Sequence, residues 1–171
     1  KYLSTFLCII IFSIVFAQDC ANDTEVRLWG ACYNIEETTL SLQDSNLSGE
    51  IPSDINLLIN LEFLDLRNNN LTKFESDINL PELKYLYLSN NNFENFQESI
   101  YDLPNLQELW ISNNYINSIP EVAQTCSFFS GLLSYNIDGN YICDADIPDC
   151  FNYSGQNTID CCGESIGNDY V

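Results

Sequence analysis

Two carboxylates, Asp65 and Glu108, stand out in a chain with 25 acidic residues, five basic ones, no histidine and no methionine. Paired carboxylates are the machinery of glycoside hydrolysis, one protonating the leaving group while the other attacks or activates water. An acid excess this large also puts carboxylates on any solvated face, so the pair alone does not define a catalytic site. The absence of histidine removes the commonest general base and transition-metal ligand. A second acidic group, Asp144, Asp146 and Asp149 in "DADIPD", offers oxygen ligands for calcium. It lacks the loop length, central glycine and closing glutamate of an EF-hand, and a solvated turn is the simpler reading.

Charge and cysteines narrow the partners. A formal charge of −20 repels phosphate backbones and anionic lipid, which argues against nucleic acid as a partner. The opening "KYLSTFLCIIIFSIVFAQDC" has a basic first residue, an apolar run from Phe6 to Phe16, and Val15 and Ala17 before Gln18. This predicts a secretory signal peptide, residues 1–17. The rival, a membrane anchor, needs roughly 20 apolar residues, and Asp19 arrives too soon. No later stretch is long and apolar enough to span a bilayer. Export favours disulfides among Cys20, Cys32, Cys126, Cys143, Cys150, Cys161 and Cys162, which gather toward the two ends of the chain. Zinc would want histidines or paired C-x-x-C knuckles, and neither is present. No metal or cofactor is expected.

The elements that position Asp65 and Glu108 are read from "LEFLDLRNNNLTKF", residues 61–74. Its leucine steps suit neither a helix nor a strand throughout. Aligning L-x-x-L-x-L-x-x-N-x-L gives Leu61, Leu64, Leu66, Asn69, Leu71; then Leu83, Leu86, Leu88, Asn91, Phe93; then Leu106, Leu109, Ile111, Asn114, Ile116. A degenerate unit precedes them, with Glu37 in first place, Leu40, Leu42 and Leu47, and Ser45 in place of the asparagine. Another follows, with Leu132, Tyr135, Ile137, Asn140 and Ile142. Unit starts at 37, 61, 83, 106 and 132 lie 22 to 26 residues apart. Two leucines flanking one outward residue suit a short strand with both leucines in the core. An asparagine at the next corner can satisfy backbone groups of adjacent turns, because its amide both donates and accepts; Asn68 and Asn70 are expected to face solvent beside Asn69.

This pattern resembles the leucine-rich repeat family over residues 37–142. The resemblance implies an α/β solenoid: a short curved array of about five repeats, a parallel β-sheet on the concave face, and disulfide-stapled caps. Trp29, Gly30, Cys32, Gly49, Ile51 and Pro52 resemble the amino-terminal cap (residues 18–36) and first repeat of extracellular plant-type members, such as receptor ectodomains and polygalacturonase inhibitors. Cys143 and Cys150 resemble the same proteins' closing pattern, with residues 143–171 as carboxyl-terminal cap and irregular tail. Bridges Cys20–Cys32 and Cys143–Cys150 are implied; Cys126, Cys161 and Cys162 stay unassigned. Gly49 and Ile51-Pro52 occur together only in the first repeat, so a second sheet should be broken or absent further on. The short amino cap leaves little room for a capping helix, which suggests a distant eukaryotic relative rather than a plant receptor.

The family implies a non-catalytic recognition module for an extracellular protein or glycan. Outward positions run Thr39 and Ser41; Phe63, Asp65 and Arg67; Tyr85, Tyr87 and Ser89; Glu108, Trp110 and Ser112; Ser134 and Asn136. Tyr87 and Trp110 form the expected centre of a binding patch with Asp65 and Glu108 beside them and Phe63, Arg67 and Tyr85 around it, since clustered Tyr, Trp and Arg make interface hot spots. Phe63 and Tyr85 have a rival role as scaffold along the strand edge. Sequons stand at Asn22, Asn46, Asn70 and Asn152. The expected outcome on secretion from a eukaryotic host is glycan at Asn22 and Asn70 at least, read as a mass loss on glycosidase treatment. An unshifted mass would contradict both glycosylation and export.

Overall fold

A computed structural model describes residue 20 and residues 23–119 and 122–142. The expected signal peptide, Asn22, the Cys143–Cys150 bridge, Asp144, Asp146, Asp149, Asn152 and the tail lie outside the described residues. The first element is an antiparallel hairpin of β1 (Glu25–Leu28) and β2 (Ala31–Asn34). Its turn residues, Trp29 and Gly30, have φ of 47° and 86°, the two positive values that a type I′ hairpin turn requires. Glycine adopts this freely; Trp29 is held there with its ring packed on the core. Cys20 is bonded to Cys32 on β2, as the cap resemblance implied. Val26 and Leu28 point inward, and β1 packs on the 3-10 turn Ser53–Leu57, so the hairpin covers one end of the core. No capping helix occurs among the described residues.

The main sheet is parallel and five-stranded: β3 (Thr39–Ser41), β5 (Phe63–Asp65), β7 (Tyr85–Tyr87), β8 (Glu108–Trp110) and β9 (Ser134–Asn136), side by side in that order. Each strand has three residues, and register aligns Leu40, Leu64, Leu86, Leu109 and Tyr135. Because side chains alternate along a strand, these middle residues enter the core while their flanking residues face out. Leu61, Leu64, Leu66 and Leu71, with their counterparts in the next two units, are buried. Each such burial is worth roughly 1.5–3 kcal/mol against exposure. At the two ends Leu42, Leu47, Leu132 and Tyr135 are only partly buried, since a terminal unit has a stacked neighbour on one side alone.

The corner asparagines tie these units together. Asn69 Oδ1 accepts from the Ser45 and Leu47 backbone N–H groups, while Nδ2 donates to the carbonyls of Leu42, Leu66 and Arg67, all at 2.9–3.1 Å. Asn91 accepts from Leu71 N and donates to the Leu66 and Leu88 carbonyls. Asn114 accepts from Phe93 N and donates to the Leu88, Ile111 and Ser112 carbonyls. Asn140 accepts from Ile116 N and donates to the Ile111 and Ile137 carbonyls. Each amide thus reaches back one unit and also closes its own corner. Ser45, in the first unit, has no preceding parallel unit to reach; its N–H is instead held by Asn69.

A second column runs one residue earlier. Asp44, Asn68, Asn90, Asn113 and Gly139 have φ of 57°, 57°, 58°, 53° and 67°, the left-handed region in which Asp, Asn and Gly are the tolerated types. The run Asn68-Asn69-Asn70 therefore divides three tasks: Asn68 takes the left-handed turn, Asn69 pins the corner, and Asn70 faces solvent at the start of β6 (Asn70–Phe74). Asn68 is exposed as expected, but its backbone conformation is its main contribution. Asn90 Nδ2 donates to Asn68 Oδ1 at 2.8 Å, and a side chain at Gly139 would run into Asn113 Oδ1.

The second sheet is short, as expected. β4 (Ser48–Ile51) pairs with β6 in parallel, the register slipping between Gly49 and Glu50, where Gly49 has φ of 81°. Among the described residues no later unit adds a strand to it. The return paths instead use the 3-10 turns Ser53–Leu57 and Glu98–Asp102 and the helix α1 (Val122–Gly131). Removing the Asn91 amide leaves the buried Leu71 N–H without its acceptor and takes one of two amide donors from each of the Leu66 and Leu88 carbonyls, which Asn69 and Asn114 still reach, so Asn91→Ala is expected to lower the unfolding free energy by about 1–3 kcal/mol. The neighbouring Asn92→Ala should cost about 0.5 kcal/mol or less. Urea denaturation of the two variants checks this, and equal midpoints would remove the corner amide from its proposed structural role.

Candidate functional site

Strand alternation puts Phe63 and Asp65, Tyr85 and Tyr87, and Glu108 and Trp110 on the open face of the main sheet. Register sets Phe63, Tyr85 and Glu108 in one row and Asp65, Tyr87 and Trp110 in the next. Neighbouring strands lie roughly 4.8 Å apart, so rings in adjacent strands must meet. Phe63 is 6.1 Å from Tyr85 and edge-on to Tyr87 at 5.3 Å, and Tyr87 is tilted 40° against Trp110 at 5.3 Å. The four aromatics form one contiguous, half-buried cluster. Trp110 Nε1 is buried, with no acceptor among the described residues.

The charged residues are already partnered. Arg67 Nη2 donates to Asp65 Oδ2 at 2.6 Å and Arg67 Nε to Oδ1 at 2.9 Å; the Arg67 backbone N–H adds a third bond to Oδ1 at 3.1 Å. Donation of these hydrogen bonds to the Asp65 carboxylate is the main cause of the upward shift in the guanidinium pKa. Arg67 also reaches Gln43 Oε1 at 3.3 Å and lies over the Tyr87 ring at 5.0 Å. Asp65 is only 2% exposed, so its expected place as a direct contact passes to Arg67, which it orients. The Tyr87 hydroxyl donates to Glu108 Oε2 at 2.7 Å. Burial first, and this bond second, push the Tyr87 phenol up to about 12.

Further along the face the expectation needs correction. Ser89 and Ser112 are buried rather than displayed. Their hydroxyls bond to each other at 2.9 Å, and Ser112 N–H donates to Ser89 Oγ at 3.1 Å, because this position lies beside the turn where backbone groups need partners. Asp138, at the same level of the β9 unit, is half-buried, and burial raises its carboxyl pKa. Asn46 and Asn70 are exposed just past their corners, outside the two rows.

Aligning the repeat units places all seven expected patch residues together, but it does not show the Arg67–Tyr87 stacking or the Tyr87–Glu108 bond. Those depend on rotamers, although the neighbouring strand positions were visible. The left-handed column was also missed; the recurrence of Asp, Asn, Asn, Asn and Gly just before each corner was its signal. As for paired carboxylates, both Asp65 oxygens accept from Arg67 and Glu108 accepts from Tyr87, an arrangement that fixes charge in place rather than moving a proton.

Comparison with known proteins agrees with this geometry. A family model described as leucine-rich repeats (2 copies) matches residues 59–101 and 81–124, so this stretch of the chain carries leucine-rich repeats. The LRR ectodomain of the receptor kinase SOBIR1 from Arabidopsis thaliana is similar at 33% identity with a TM-score of 0.52, covering 60% of this chain. The chain spans 57% of that ectodomain's length. The BIR2 ectodomain from Arabidopsis thaliana (24% identity, TM-score 0.53, 74% of this chain and 71% of that one) and an internalin, inlF, from Listeria monocytogenes (20%, 0.50, 77% and 46%) share the fold. No curated protein matches the chain in sequence. No helix of the described residues is long and apolar enough to cross a membrane.

The Tyr87 phenol gives a pH prediction. Its pKa is higher in the folded protein, so the folded state holds this proton more tightly than the unfolded chain. The resulting stabilisation is fully present below about pH 10 and is lost as pH rises toward about 12. The stability difference between wild type and Tyr87→Phe, measured by urea denaturation, should therefore shrink across that window. A constant difference would mean that the phenol is not held as described.

Proposed function

We propose that the chain is a secreted or cell-surface recognition module, without catalysis, that binds an extracellular protein or glycan through the concave face of its repeat sheet. In this reading residues 1–17 direct export, 18–36 and 143–171 cap the stack, and 37–142 present the face. The contiguous cluster of Phe63, Tyr85, Tyr87 and Trp110, with rings 5.3–6.1 Å apart, carries the proposal. Half-exposed aromatics gathered on one face are costly unless covered, and they are the side chains from which interface hot spots are built. The sheet beneath is fixed by backbone ladders and corner amides, so a partner would pay little to order it. Similarity to a receptor-kinase ectodomain supports an extracellular setting. Glycans at Asn46 and Asn70 would project beside the face and leave it clear.

A glycan array run beside a pull-down from extracellular fluid tests this reading. With the captured ligand in hand, Tyr87→Ala combined with Trp110→Ala should weaken binding by about 30-fold or more, the scale of a hot-spot loss. If the double variant keeps full affinity while the fold stays intact, the concave face is not the site.

A further inference from the structure

The aromatic face holds two similar seats, and only one contains a cation among the described residues. In the first, the Arg67 guanidinium lies 5.0 Å from the Tyr87 ring centre with the buried Asp65 carboxylate beside it. In the second, the ring is Trp110. Glu108 stands two residues before it on the same face of β8, and Asp138 stands two residues past Asn136, the register partner of Trp110 on β9. Glu108 uses Oε2 to accept from Tyr87; Oε1 and the Asp138 carboxylate accept no hydrogen bond among the described residues. The chain has little positive charge of its own to supply, five Lys and Arg in all. Arg67, Lys73 and Lys84 are held by Asp65, Glu50 and Glu62 at 2.6, 3.0 and 2.9 Å, against 25 acids in the whole sequence. An aromatic face flanked by carboxylates attracts lysine and arginine through both ring quadrupole and charge, and the overall field steers basic partners toward it.

Resting on the reading that this face binds, we propose that its partner is a basic polypeptide segment that seats a lysine or arginine on Trp110 between Glu108 and Asp138. The complementary charge selects polypeptide over neutral glycan. The mutual tilts of 40° to 82° among Phe63, Tyr87 and Trp110 favour the same choice, since they offer separate pockets rather than one flat platform for sugar rings.

The test immobilises the full secreted chain and measures binding of three length-matched synthetic peptide pools, basic, neutral and acidic, each containing the same aromatic residues. Two variants have equal net charge: Glu108→Gln with Asp138→Asn on the face, and Glu94→Gln with Glu98→Gln away from it. The glutamine at 108 still accepts from Tyr87, so the aromatic cluster is preserved. The expected result is preferential binding of the basic pool, weakened about tenfold by the face variant and less than about twofold by the remote one. Equal weakening by both variants would mean attraction to bulk charge and would overturn the proposal, as would binding of no pool at all. Neutral or acidic peptides bound as well as basic ones, and lost in Trp110→Ala, would overturn the basic partner while keeping the face as the site. Basic binding indifferent to Trp110→Ala would overturn both.

Discussion

Closing each turn of the coil without leaving buried backbone groups unpaired is the constraint on which the structure depends. Where the chain leaves a three-residue strand it turns sharply; backbone bonds to the next unit continue at Asn68 and Asn69, but groups such as the Leu66 carbonyl and the Leu71 N–H are left to the corner side chains. A buried backbone group without a partner costs on the order of 1–3 kcal/mol, and the same corner recurs in every unit. The asparagine amide answers this because it donates and accepts on opposite sides. Asn91 therefore joins Leu66, Leu71 and Leu88, groups from its own unit and the one before it. The same bonds that close a corner also stack the units, so local turn and long-range packing form together.

This corner needs a left-handed residue immediately before it, and that requirement shapes the sequence as much as the leucines do. A β-branched side chain in place of Asn90 would be strained at φ of 58°, whereas asparagine is tolerated there and its amide can join the neighbouring Asn68. Glycine at 139 meets the same demand by having no side chain, which also leaves room for Asn113. With the corners and core so determined, the residues flanking Leu64, Leu86 and Leu109 carry little structural duty. Their identities are left to whatever the open face does, and on β5, β7 and β8 those positions are mostly aromatic and charged.

The strand rows, the core and the first disulfide were legible in the residue pattern because each follows from periodicity or family spacing. Phe63, Tyr85 and Glu108 fall in one row simply because their units align. What the pattern could not give was how the side chains partner once aligned. Asp65 reads as an outward acid from its strand position, and it does point outward, yet Arg67 two residues later folds back over it and removes it from solvent. The outward reading of Ser89 and Ser112 failed for a related reason: short hydroxyl side chains beside a turn satisfy each other and the backbone before they meet a ligand.

These partnerships bear on the kind of chemistry the face can do. A general acid must hold a proton and release it to substrate, and its partner must stay free to receive one or to attack. Asp65 instead gives both oxygens to a guanidinium, and Glu108 accepts from a phenol whose own pKa is driven up to about 12. Arrangements of this sort hold charge and rings at fixed positions, which is what discrimination among partners requires. The Arg67–Asp65 pair offsets its own charge at one side of the aromatic cluster, while Glu108 and Asp138 lie toward the other, so the face is polarised along the direction in which its units stack. On the proposed reading, a partner of this face would be selected for where its positive charge falls relative to its apolar side chains, a specificity that would depend on the rigid spacing set by the corners.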